Sequence, residues 1–358
     1  MFMKKNLILS ASLIFFTACS SNSLDQSITK KFENALNAQI REEQNSSEIN
    51  LNFNDFKCQN DGNFIKCMSP NLEVFNPENH KKIFGIENVE YKSNVIYTGD
   101  KKGLISFREL LNFLFSKNEK LQDEVTFKNI KLGDETISEL DKINLNKNQK
   151  INDYLKELIS NPFTISFKNL NTKKNSENNN YLSSINIQSN DQLNLNLSAN
   201  IDYKLELLDI LDSYGFKYDI DSISVKNVDE NNTNKIDPDS TLSQILDNIT
   251  IHDAKLTFSL DTKEVFKDYI EMANSMLKIA KENSKDEKQT LVIDKALKAL
   301  EKITQNPTYK LNIEVFFKDA PLSVYSKEKE KVIEKLTING EDFTEVVSIL
   351  GDSYMPLY

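Results

Sequence analysis

The chain is poor in the residues that build most catalytic and metal centres. Its 358 residues include two histidines, His80 and His252, and three cysteines, Cys19, Cys58 and Cys67. Histidines so scattered offer few general bases and no paired imidazole ligands. No Gly-rich phosphate loop, GxSxG elbow or HExxH motif is present. The 54 acidic residues make chance carboxylate pairs inevitable, and a solvated acidic face accounts for them. The run 229–239 has a superficial likeness to a calcium loop, but it lacks the central Gly and the closing Glu. No cofactor, no metal site and no enzymatic activity are expected. Basic charge is also short, with 44 Lys and Arg against the 54 acids and a net charge of −10, which argues against nucleic acid as a partner. After the first eighteen residues no segment is apolar enough to span a bilayer.

What is there begins at the N-terminus. Residues 1–18 carry a short basic start, Lys4 and Lys5, then an apolar stretch from Leu7 to Phe16. They read as a secretory signal. The stretch ends in Phe16-Thr17-Ala18-Cys19-Ser20, which resembles a bacterial lipobox, with Phe16 where Leu is usual. Cleavage before Cys19 and acylation of its thiol are expected. Several acyl chains hold stably, since each buried methylene contributes about 0.8 kcal/mol. Ser20 in place of Asp argues for passage to the outer membrane, by analogy with sorting rules in other bacteria. Residues 19–25 make a polar tether before the body, 26–358, and the mature chain from Cys19 onward keeps 42 basic against 54 acidic residues, a balance of −12.

Cys58 and Cys67 flank Asn60-Asp61-Gly62-Asn63, a turn between two strand-like segments. With Gly62 and Asn63 at its centre the two cysteines fall opposite each other, and an exported setting favours a disulfide. Metal binding is the rival, but the spacing is not CxxC and histidine partners are few. Two acidic-x-Asn-x-Ser/Thr sequons, Glu43 to Ser47 and Asp229 to Thr233, make Asn45 and Asn231 candidate sites of bacterial N-glycosylation.

Periodicity then divides the body. Ile28, Phe32, Ala35, Leu36 and Ile40 predict a helix over 26–42. Beyond it the period falls to 2, as in Val89, Tyr91, Val95, Tyr97 and in Phe163, Ile165, Phe167. The longest alternation runs from Leu193 to Leu207, a strand of about 50 Å at 3.4 Å per residue; Leu205, Leu208 and Leu211 equally allow a helix at its end. Further strands are expected around 254–260 and 309–317. One wet face on each implies an antiparallel sheet, hence an α+β fold. Helices are predicted from the Ser106-Phe107-Arg108-Glu109 capping box to about Ser116, at Thr136, from Ile151 to the Asn161-Pro162 stop, over 262–283 and over 290–304. The stretches 171–180 and 229–239 lack any period and read as exposed loops. The repeated order of strand, helix, Asn-Pro and strand hints that a single elongated body holds two related halves, about 50–170 and 190–320.

From Leu51-Asn52-Phe53-Asn54-Asp55-Phe56-Lys57-Cys58 through Asp61-Gly62, Phe64-Ile65, Cys67 and Ser69-Pro70-Asn71, the chain resembles the JlpA-type surface-exposed lipoprotein adhesins of epsilonproteobacteria. The likeness continues through Phe127 to Gly133 and the strand ending near Leu207. What it implies is a large, curved antiparallel sheet, an open half-barrel with flanking helices and a concave apolar basin. It further implies display on the cell surface and attachment to a host-cell surface protein, with a hydrophobic ligand in the basin as an additional partner. The other function compatible with the residues is a periplasm-facing, membrane-anchored carrier or chaperone for a lipid or apolar peptide. Helices closing over the apolar stripe as ordinary core would favour neither.

Overall fold

The computed structural model describes residues 26–46, 50–134, 136–138, 149–190, 192–222, 224–227, 245–305, 309–327 and 332–345. The first helix, α1 (Gln26–Ser46), buries Phe32 and Leu36 along one stripe. It runs one turn beyond the apolar spacing that predicts it. Strands β1 (Asn50–Phe53), β2 (Lys57–Asp61), β3 (Phe64–Ser69), β4 (Leu72–Phe75) and β5 (Lys82–Ser93) follow. β5 is long enough to take two partners on one edge, β4 on its first half and β3 on its second. β1 extends the sheet beyond β4 and β2 beyond β3.

A two-residue strand, β6 (Leu104–Ile105), leads into α2 (Phe107–Phe115). The Ser106 hydroxyl accepts from the Glu109 amide at 3.1 Å, the N-cap that the sequence signals. Then come β7 (Lys120–Leu132), α3 (Gln149–Ser160), β8 (Phe163–Lys173), β9 (Asn178–Ser189) and β10 (Leu193–Lys204). Pro162 separates α3 from β8 because it can neither donate to the helical ladder nor allow a helical residue before it. After β10 the chain turns directly into α4 (Glu206–Ser213), so the helical reading of Leu205 and Leu208 wins and both are buried. β11 (Phe216–Asp219), β12 (Ser224–Asn227) and β13 (Ile249–Leu260) precede α5 (Lys267–Asn283) and α6 (Glu287–Gln305). The chain ends in β14 (Leu311–Phe317), β15 (Ala320–Pro321), α7 (Leu322–Lys327), β16 (Ile333–Ile338) and β17 (Glu341–Asp342).

Fourteen strands form one sheet in the order β1-β4-β5-β7-β8-β9-β10-β13-β14-β16-β17, with β3 and β2 on the free half of β5 and β15 on β13. Every pairing is antiparallel. Among the described residues no pairing joins the two ends, so the sheet is not a closed barrel. A small second sheet, β12-β11-β6, ties residues 104–105 to 218–219. No helix of the described residues is long and apolar enough to cross a membrane.

Two local expectations are revised. Residues 171–180 are mostly strand: β8 runs to Lys173, β9 starts at Asn178, and the Asn175 side chain caps the tight turn by accepting from the amides of Glu177 and Asn178, both at 2.8 Å. α5 starts at Lys267 instead of 262 because Lys263 and Glu264 have φ of 47° and 62°, outside any right-handed helix. The main core lies towards the β5 end, where α1, α2 and residues 95–97 pack on β5 and β7 around Tyr91, Ile96, Leu114 and Val125. Tyr218 and Ile220 reach into it from beyond β11's start.

Candidate binding surface

The hairpin singled out by its cysteines turns at Gly62, whose φ of 62° suits glycine. Cys58 pairs with Cys67 in register, and a disulfide joins them, Cα to Cα 4.0 Å. Cys67 is fully buried. α1 is held against the start of this hairpin by two side chains one turn apart. The Glu33 carboxylate accepts from the Cys58 amide at 2.9 Å, and the Asn37 side chain brackets Phe56, accepting from its amide at 2.8 Å and donating to its carbonyl at 3.2 Å. Phe32 stacks on Tyr91 at 5.8 Å between centroids. The bridge is therefore part of the seat of α1. Cys19 and Asn231 lie outside the described residues, as do residues 1–25 as a whole, and so does the side chain of Asn45, whose backbone is in the last turn of α1.

Because directly opposed residues of antiparallel strands share a face, register traces one apolar surface across the sheet. Val125, Phe167, Ile185, Leu197, Leu256 and Val315 stand side by side on β7, β8, β9, β10, β13 and β14. A parallel row, two residues along each strand, holds Phe127, Ile165, Ile187, Leu195, Phe258 and Ile313. The β7 end is closed by the main core. At the far end Ala299 of α6 packs with Phe343, Leu336 and Ile338, covering β16. Between these covers the rows on β8, β9, β10, β13 and β14 are half-buried, and Leu197 is 37% exposed. Helices thus close the apolar face at its two ends and leave its middle accessible. α5 adds an apolar stripe of its own: Met272, Met276 and Ile279 are 53%, 64% and 60% exposed.

One step beyond the first row the same face becomes polar. Ser183 donates to Asn169 Oδ1 at 2.9 Å, and Asn169 Nδ2 donates to Asp123 at 2.9 Å. Burial pushes the Asp123 carboxyl up to about 7, opposed only by the Asn169 hydrogen bond. Behind this chain Asn171 and Asn179 both donate to Tyr203 Oη, at 2.7 and 3.1 Å. Burial pushes the Tyr203 phenol up as well. The Oδ1 atoms of Asn171 and Asn179 are buried and have no partner among the described residues, a condition that costs on the order of 1–3 kcal/mol each. The sequence holds a signal for this cluster: Leu121, Asp123, Val125 and Phe127 alternate with polar residues, so Asp123 occupies an apolar position of its strand. Asn169 and Asn171 continue the parity of Phe163, Ile165 and Phe167 in the same way.

On the opposite, polar face, His252 lies between two carboxylates, Nε2 3.3 Å from Asp202 and Nδ1 3.1 Å from Asp319. Asp319 also accepts from the Asp253 amide at 3.0 Å. That residue has φ of 46° and sits where the β10–β13 register shifts, so the trio staples a β-bulge. Among the described residues no group of three or more His, Cys, Asp or Glu is placed to hold a metal ion.

The sheet is thus covered by helices at its two ends and leaves part of one apolar face accessible between them. The chain belongs to the JLPA family, the adhesin from Campylobacter, whose family model matches residues 22–356. Membership suggests an adhesin role, a surface-exposed location and a non-enzymatic function. No match is found among curated proteins.

Proposed function

We propose that the protein is an outer-membrane lipoprotein, anchored through acyl chains on Cys19, that faces the outside of the cell and attaches to a host-cell surface protein. The observation that carries this reading is the family match over nearly the whole chain. The signal, the lipobox and the acidic, tethered body agree with it. The sheet would curl into an open half-barrel with the apolar rows inside, and that face, with Leu197 at its centre, would supply the contact. Open apolar surface of this extent usually marks an interaction site. Asn231 and Asn45 would carry glycans in a host that owns the transferase. Protease shaving of intact cells tests the topology: the body should be cleaved without breaking the outer membrane, and protection until lysis would refute surface display. A Cys19→Ala variant should leave the membrane fraction and abolish attachment to host cells.

The half-open apolar face also favours a second reading, a periplasm-facing carrier of a lipid or apolar peptide. It requires the protected outcome of the shaving experiment, together with an apolar ligand that co-purifies with the protein from its own host.

A further inference from the structure

The polar chain beside the apolar rows is the part of this face that packing does not explain. It begins under the core at Asp123, which is 8% exposed, and comes out at the half-buried Asn169 and Ser183. Its neighbours on the same face include Ala199, opposite Ser183 on β10, Phe167 and Ile185, two residues along β8 and β9 and about 7 Å away at strand spacing, and Tyr181, two residues the other way along β9, whose phenol feels the charge of Asp123. Behind it stand Asn171 and Asn179, 8% and 1% exposed, each with an unpartnered Oδ1. Turning over one of these amides would give the Tyr203 proton an acceptor, but an NH2 group would then be stranded in its place. Either way one buried polar atom beside this chain is left without a partner among the described residues.

We propose that this corner is the head-group site of a single-chain amphiphile with an uncharged, hydroxyl-bearing head, whose tail lies along the row of Phe167, Ile185, Leu197 and Leu256. The proposal rests on the reading that the apolar face is open for binding. Hydrogen-bond direction fixes the head-group chemistry. Asn169 spends its NH2 on Asp123 and its oxygen on Ser183, so the Ser183 proton is committed and its oxygen is left as an acceptor. A head group must therefore bring a donor. Among the described residues no lysine or arginine acts on Asp123, so a carboxylate or phosphate head would meet acceptors and a carboxyl group. A hydroxyl can donate to Ser183 and accept from whichever buried NH2 faces it.

The test is calorimetric titration of the full mature chain, carrying Cys19→Ser so that no lipid of its own competes. The probes are 1-monolauroylglycerol and laurate at pH 8, both below their micelle concentrations. The glyceride should bind at least tenfold more tightly than laurate. Ser183→Ala and Asp123→Leu should each weaken glyceride binding at least fivefold and leave laurate unchanged, whereas Leu197→Asp should weaken both. Equal affinities that ignore Ser183→Ala, a mild change at a half-exposed position, would overturn the head-group site while leaving an apolar chain-binding face. If neither probe binds and Leu197→Asp still impairs attachment to cells, the face is a protein contact and the amphiphile site is wrong. Failure of both binding and that attachment effect would remove the open-face reading too.

Discussion

Asp123 shows how one residue can set the pH response of a fold. A carboxyl held at about 7 in the folded chain, against 3.8 in the open chain, takes up a proton on folding. Its contribution is therefore fully present below about pH 4, declines as pH rises to 7 and is flat above that. A shift of this size corresponds to about 4 kcal/mol. Asp123→Asn keeps an acceptor for Asn169 and never ionises. The stability of the variant relative to the parent should rise by on the order of 2–4 kcal/mol between pH 4 and 8, read from paired denaturant unfolding curves. A pH-independent difference would refute the assignment. Gly133 is a second residue whose role is set by neighbours. Its amide donates to the Ile83 carbonyl at 2.8 Å, and a Cβ placed on it would lie 1.8 Å from the Lys82 carbonyl oxygen. Gly133→Ala must push β5 and β7 apart where they meet. A loss of about 2–4 kcal/mol is expected by the same measurement.

At the scale of elements, the cysteine hairpin and α1 work together. A disulfide closing so short a loop contributes about 2–3 kcal/mol, and here the closed loop also presents the Cys58 amide to Glu33. Cys58→Ala with Cys67→Ala should cost about that much. It should also speed hydrogen exchange at the amides of Phe56 and Cys58, which α1 protects, while leaving β10 and β13 unchanged. The hairpin was legible in the sequence because every determinant is local: a Gly at the turn, and two cysteines symmetric about it. The same holds for Ser106 at the start of α2, for the proline stop after α3 and for the alternation of β10. Elements defined by distant partners were not legible. β6 is two residues long and exists only because Tyr218 and Asp219 pair with Ile105 and Leu104. The asparagines of 171–180 look like loop, yet Asn171 and Asn179 are buried because Tyr203, on another strand, accepts from both. Of the binding surface, the apolar rows could be read from alternation. Their polar corner required register, which sequence periodicity does not supply.

For the whole molecule, the question is whether the stretches 50–170 and 190–320, expected from the sequence order as related halves, behave as one body. In each half a helix crosses between antiparallel neighbours, α2 between β5 and β7, and α4 between β10 and β13; Asn-Pro then precedes β8 and β14. This recurrence of element order does not make the two stretches independent. β9 and β10 pair over their full length, so a cut between them would bare two long edges. Arg108 of α2 holds Asp209 of α4 with two nitrogens, Nε at 2.6 Å and Nη2 at 2.5 Å. Tyr218, 1% exposed, fills a core whose other members, Ile220 apart, all precede residue 168. Removing its ring should therefore destabilise the first half from a position in the second. Tyr218→Ala is expected to cost about 3–5 kcal/mol, and the parent chain should unfold in one cooperative transition seen alike by circular dichroism and by hydrogen exchange at β5 and β13. If β13 instead exchanged at its parental rate in the variant while β5 opened, the halves would be separate folding units joined at an edge, and the apolar face would be free to change curvature at the β9–β10 seam.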